Sequence, residues 1–185
     1  MLYGLNLEVP PVYEPVSVDE LKEHLRLNID DENSLLAEYI SAARLLAEDY
    51  TGRQFMTATW KAYFDYWPDF LPKSPTQAVS EILYYDTSNV QQELTTFDLD
   101  NTCDPARLMI SNKPSLGSRK PSVIITLECG YDEVYKPFPP TLKHAIMLLA
   151  SDYYMHRTAH LPTLGTVRQI PYGLQAVLSH YKVHL

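Results

Sequence analysis

His156 and His160 stand four residues apart, the spacing at which two imidazoles on one helix face can share a metal ion. A zinc site needs a third protein ligand, none presents itself beside this pair, and His160 falls near the end of the expected helix. Asp30-Asp31-Glu32-Asn33 gathers carboxylates as a calcium loop does, but it lacks the glycine and the terminal glutamate spacing of such a loop. A helix cap explains it better, with acidic groups at the positive end of the helix dipole. Cys103 and Cys129 have no zinc spacing, and neither has a basic neighbour in sequence that would make its thiol a nucleophile. Cys129 sits in an alternating strand as a small core residue; a disulfide between the two stays open. Serine, histidine and aspartate are present without a Gly-x-Ser-x-Gly turn to hold a nucleophile. The 6 glycines are scattered rather than gathered into a phosphate loop. The residues therefore offer no catalytic centre, no cofactor site and no metal site.

What remains is architecture. The 185 residues are enough for one ordinary domain, and 45% hydrophobic with 21% charged content provides a core. No apolar run approaches the roughly 20 residues that cross a bilayer, and the N-terminus does not resemble a secretion signal. The net charge of −8 is uneven: residues 1–52 hold 11 acids and 3 bases, whereas residues 153–185 hold 3 bases and no acid. An acidic chain lacks the basic footprint that wrapping nucleic acid requires. The basic tail suits docking on an acidic partner surface. The 14 tyrosines serve either core packing or interfaces, where an apolar ring with a polar tip is favoured.

The order of elements follows from periodicity. Residues 1–16, punctuated by Pro10, Pro11 and Pro15, predict an extended arm. Ser17-Val18-Asp19-Glu20 fits a capping box opening a helix over about 18–27. Leu35, Leu36, Tyr39, Ile40, Ala43, Ala47 and Tyr50 recur at helical spacing over about 32–51, with Glu38, Arg44 and Glu48 on the outer face and Gly52 as the stop. Alternation then predicts strands at 57–64, 79–86, 107–110 and 122–130, the last two pairing with each other. The loop 112–121 between them carries Lys113, Arg119 and Lys120 with no acid. It is either a solvated hairpin loop or one reaching a pore, DNA or a neighbouring subunit. Pro139-Pro140 introduces a helix over about 141–157 that is apolar nearly all round. A last helix spans Tyr172 to Tyr181, striped by Leu174, Val177, Leu178 and Tyr181. The expected fold class is α+β: a mainly helical bundle with an inserted small antiparallel β-sheet.

The string Ser17-Val18-Asp19-Glu20-Leu21-Lys22, Asp30-Asp31, Ala42-Ala43, Tyr50-Thr51-Gly52-Arg53 and Trp60 resembles the head–tail connector (adaptor) proteins of tailed bacteriophages, also found in prophages and gene transfer agents. Leu71-Pro72, Pro105-Ala106-Arg107-Leu108, Gly130-Tyr131, Pro139-Pro140, Tyr153-Tyr154 and Pro171-Tyr172-Gly173-Leu174 continue it in order. The resemblance implies one connector domain over 1–185: arm 1–16, helical hairpin 17–53, β-rich insertion 57–131, core helix 139–158, and tail with helix 159–185. It implies a structural virion protein at the head–tail junction, made in the host cytoplasm, without enzymatic activity, cofactor or membrane contact. Copies would form a ring of about a dozen subunits beneath the portal protein and receive a tail or stopper protein. DNA would pass through the channel without specific binding. By analogy the C-terminal helix grips the portal, with Tyr172, Leu174, Val177, Leu178 and Tyr181 as anchors and Arg168 and Lys182 steering. Lys113, Arg119 and Lys120 would face the channel or a neighbouring subunit. A tail-side stopper or completion protein and a small soluble enzyme are the alternatives.

Overall fold

The computed structural model describes residues 2–28, 30–156 and 172–183. The chain divides into two compact units. The first takes the chain up to Val12, then Gly52–Pro137 and the residues from Val183; the second takes Tyr13–Thr51 and Phe138–Lys182.

The first unit is built on a five-stranded antiparallel sheet: β1 (Leu2–Val9), β2 (Ala58–Phe64), β3 (Thr76–Tyr85), β4 (Gln91–Glu93) and β7 (Val123–Cys129). Its order is β1-β2-β7-β3-β4, and a separate hairpin joins β5 (Asp98–Asp100) to β6 (Arg107–Met109). The alternation of β7 decides which face is buried. Val123, Ile125, Leu127 and Cys129 point into the core, where they meet Ala62, Phe64, Ile82 and Leu108. Opposite them in register lie Phe64, Ala62, Trp60 and Ala58 of β2, so one apolar layer runs across the central strands. At the end of β7 the chain needs Gly130. Its φ is +126°, and a Cβ there would lie 2.5 Å from the Met56 carbonyl carbon.

Asp104 ties two distant segments of this unit. It accepts from Arg53 Nη1 at 2.9 Å and from Lys136 Nζ at 3.1 Å. Burial alone would raise its pKa, but these two cations hold the carboxyl below the usual carboxylate range. A depressed pKa contributes stability above the unfolded value of about 4, and that contribution is lost as pH falls through the folded value. Wild type should therefore be more stable than Asp104→Asn at pH 6. Denaturant titrations at descending pH should show the difference shrinking below about pH 4.

The second unit is helical: α1 (Val18–Leu25), α2 (Asn33–Thr51), α3 (Pro140–Met155) and α4 (Tyr172–Ser179). The capping box of α1 is complete, with Glu20 N donating to Ser17 Oγ at 3.2 Å and Ser17 N to Glu20 Oε2 at 2.9 Å. Proline at the first position opens α3, where its missing N–H costs nothing. Leu21, Leu36, Ile40, Leu142, Ile146, Leu149 and Leu178 fill the interior. Arg44 and Glu48, expected on an outer face, are instead 8% and 7% exposed. The reason is Glu14, which returns over α2: Arg44 Nε donates to Glu14 Oε2 at 2.7 Å and Nη1 to Glu48 Oε2 at 2.8 Å. Ser41 Oγ donates to the other Glu14 oxygen at 2.7 Å.

The fold class expected from sequence is corrected in its proportions. Over the described residues strand and bridge positions account for 29% and helix for 30%, so this is not a mainly helical bundle with a small inserted sheet. The largest source of the difference is β1. The prolines at 10 and 11 end a strand that pairs with β2 along Leu2–Val9, rather than preventing one. The expected pairing of 107–110 with 122–130 is also corrected: β6 pairs with β5, while β7 lies between β2 and β3. The segment between β6 and β7 first passes beside β3, where Gly117 N donates to Tyr85 O at 2.8 Å.

Candidate functional site

Reactive groups are occupied by structural work. His156 closes α3, its Nδ1 lying 3.2 Å from the Asp152 carbonyl and 3.6 Å from the Asp152 carboxylate. Asp152, one turn before His156, is an acidic neighbour that the spacing of the histidine pair does not reveal. His160 lies outside the described residues. Among the described residues no group of three or more histidine, cysteine, aspartate or glutamate side chains could hold a metal. Asp30 is paired with Lys22, whose hydrogen bond lowers the pKa of its carboxyl, and Glu32 accepts from Tyr154 Oη at 2.7 Å. Both cysteines are free thiols. Burial pushes Cys129 up to about 12, which leaves no thiolate near neutral pH.

The basic loop is likewise committed. Lys113 Nζ donates to Asp69 Oδ1 at 2.9 Å. The Arg119 guanidinium stacks 4.2 Å from the Tyr85 ring centre. Lys120 Nζ donates to the Asp65 carbonyl at 2.7 Å and lies 4.4 Å from the Tyr66 ring centre. Each of these partners lies far away in sequence, so the charge count of the loop overstates what it offers to phosphate. A shallow hollow of about 340 Å³ beside Lys113 brings Arg107, Phe70 and Met109 together with Asp69 and Ser111.

The last helix divides into two faces. Leu174 and Leu178 are buried within the helical unit, where α4 packs on α2 and α3. Val177 is 38% exposed. Tyr181 hydrogen-bonds Thr141 at the start of α3, and Lys182 lies over the Tyr50 ring. Tyr172 begins the helix, and Arg168 lies outside the described residues. Between α3 and α4 an apolar groove of about 380 Å³ opens, floored by Ala145 and Leu174, flanked by Leu148 and Val177, and edged by His144 and Asp152. The groove brings together Leu174 and Val177 from the sequence-expected set. Leu148, on the exposed side of a helix that looked apolar all round, is the wall the sequence did not assign.

Among the described residues the surface offers a sheet with an open edge and an apolar groove. Residues 15–105 match the family described as phage gp6-like head-tail connector protein. Three solved structures share its fold. A chain of the neck of an empty gene transfer agent particle, computed with C6 symmetry, is 22% identical with a TM-score of 0.78, covering 98% of this chain and 96% of that one. The neck of the native particle, computed with C12 symmetry, gives 22%, 0.73, 100% and 96%. The virion of the native particle gives 24%, 0.72, 98% and 96%. No curated protein sequence matches.

Proposed function

We propose that this chain is a structural subunit of a virion neck, copies of which form a ring at the head–tail junction through which DNA passes. The observation that carries this reading is coverage. The likeness to neck chains takes in 98% of this chain and 96% of theirs, so it spans both units rather than one common module. The net charge of −8 fits a passage that must not hold phosphate. Among the described residues no helix is long and apolar enough to cross a membrane.

The groove between α3 and α4 is the proposed seat for an apolar segment of the portal protein. Leu148 and Val177 are its open contacts, with Lys182, beyond the end of α4, for steering. Leu174, Leu178 and Tyr181 support the helix that forms one wall and that Tyr172 begins. A tail or stopper protein would dock on the ring's other face. The loop with Lys113, Arg119 and Lys120 would line the channel or meet a neighbouring subunit.

Val177→Asp tests the groove, because the side chain is exposed and its loss should leave the fold intact. A charge seated against an apolar partner should weaken portal binding at least tenfold, about 1.4 kcal/mol, with an unchanged melting temperature. Equal binding of wild type and variant by titration calorimetry would remove the groove from the portal interface.

A further inference from the structure

The outer edge of β1 carries an unusual concentration of apolar surface. Among the described residues fifteen large hydrophobic side chains are exposed, and five of them, Leu2, Tyr3, Leu7, Val9 and Val12, fall in the first twelve positions. Among the described residues β1 is the first strand of the sheet, bonded to β2 on one side and to no strand on the other. Eight residues of edge backbone with apolar side chains form a template for another strand. The usual protections are weak here. The one charge, Glu8, is bound to Lys61 Nζ at 2.8 Å, and the prolines come only after the strand has ended. Register shifts occur between Leu2 and Gly4 and between Leu7 and Val9, which leaves Gly4–Leu7 regular.

We propose that this edge pairs with the β4 edge of a second copy of this chain, so that the sheet continues from one subunit to the next. The proposal rests on the ring reading above and names the contact that would close it. The two ends of the sheet are chemically different but share one apolar layer. Leu5 packs against the core cluster from β1, and Leu94, Phe97 and Leu99 pack against the same cluster beyond β4, all four only partly buried. At that far end β4 is three exposed residues, Gln91–Glu93, covering β3 only at Leu83–Tyr85. Placing one end against the other covers both open ends of the layer and supplies main-chain partners to both edges. Two unlike surfaces on one molecule make a head-to-tail contact, which propagates and can close into a ring; β1 against β1 would stop at a dimer.

The test compares wild type with Leu7→Lys/Val9→Lys, whose side chains are 46% and 50% exposed. Mass is followed by light scattering across concentration, with and without portal, and folding by thermal melting. The variant should melt like wild type yet need at least tenfold more protein to assemble. A variant that melts like wild type and forms rings at wild-type concentration overturns the edge contact and leaves the neck reading standing. A wild type that never forms a ring overturns both. Should the variant fail to fold, hydrogen exchange on wild type decides. Amides of Leu2–Val9 and of Gln91–Glu93 should exchange at least tenfold more slowly in the ring than in the free subunit. Unchanged exchange at both segments, or protection of β1 alone, overturns the proposal.

Discussion

Replacing Arg44 with alanine should destabilise the helical unit by about 3 kcal/mol, the lower end of the roughly 3–5 that follows removal of one partner from a buried ion pair. Two carboxylates converge on this guanidinium, and alanine removes the cation that both share. Glu48 suffers more, because its side chain is 9% exposed whereas that of Glu14 is 30% exposed and can rehydrate. The loss should appear as a lower urea midpoint with an unchanged slope. The cause is distinguishable from lost packing. Arg44→Met combined with Glu48→Leu and Glu14→Gln removes the stranded charges, and it should recover most of the loss. A triple variant as unstable as Arg44→Ala would show that the stems of these side chains, not their charges, hold Glu14 against α2.

Gly130→Ala should be comparably severe, about 3 kcal/mol, since the new methyl has no room and the backbone is left-handed there. Its Cβ would lie 2.5 Å from both the carbonyl carbon and oxygen of Met56 and 2.7 Å from Thr57 N. These are backbone atoms at the entry to β2, so relief requires the strands to separate where Ala58 faces Cys129. Gly4→Ala is the control. Its nearest neighbour would be Tyr63 Cδ2 at 3.8 Å, ordinary contact, so the effect should be within about 0.5 kcal/mol of zero. Chemical denaturation of the two variants side by side checks the contrast.

Local signals survived the passage from sequence to structure. Ser17 and Glu20 close the cap of α1, Pro140 opens α3, and the alternation of Val123 to Cys129 marks the buried face of a strand. Each is decided by groups within a few residues. What failed depended on distant partners. Leu2–Val9 is a strand because β2 lies beside it, and nothing within the first sixteen residues says so. Arg44 is buried because Glu14, thirty residues earlier, folds back over it. The cations of the 112–121 loop seemed free because Asp69, Tyr85 and Asp65 lie far from them in the chain. The same limit held for the groove: the stripe of α4 was legible, but which of its members face inward depends on α3. Leu174 and Leu178 turn to the core, leaving Val177 and the unassigned Leu148 at the surface.

A neck subunit of the proposed kind builds a ring on a portal. This is tested most directly by the mass of the purified protein, alone and mixed with its cognate portal, using light scattering with negative-stain imaging. The expected result is a ring of about a dozen copies, either preformed or assembled when the subunit meets the portal. A monomer that ignores the portal at micromolar concentration would contradict it.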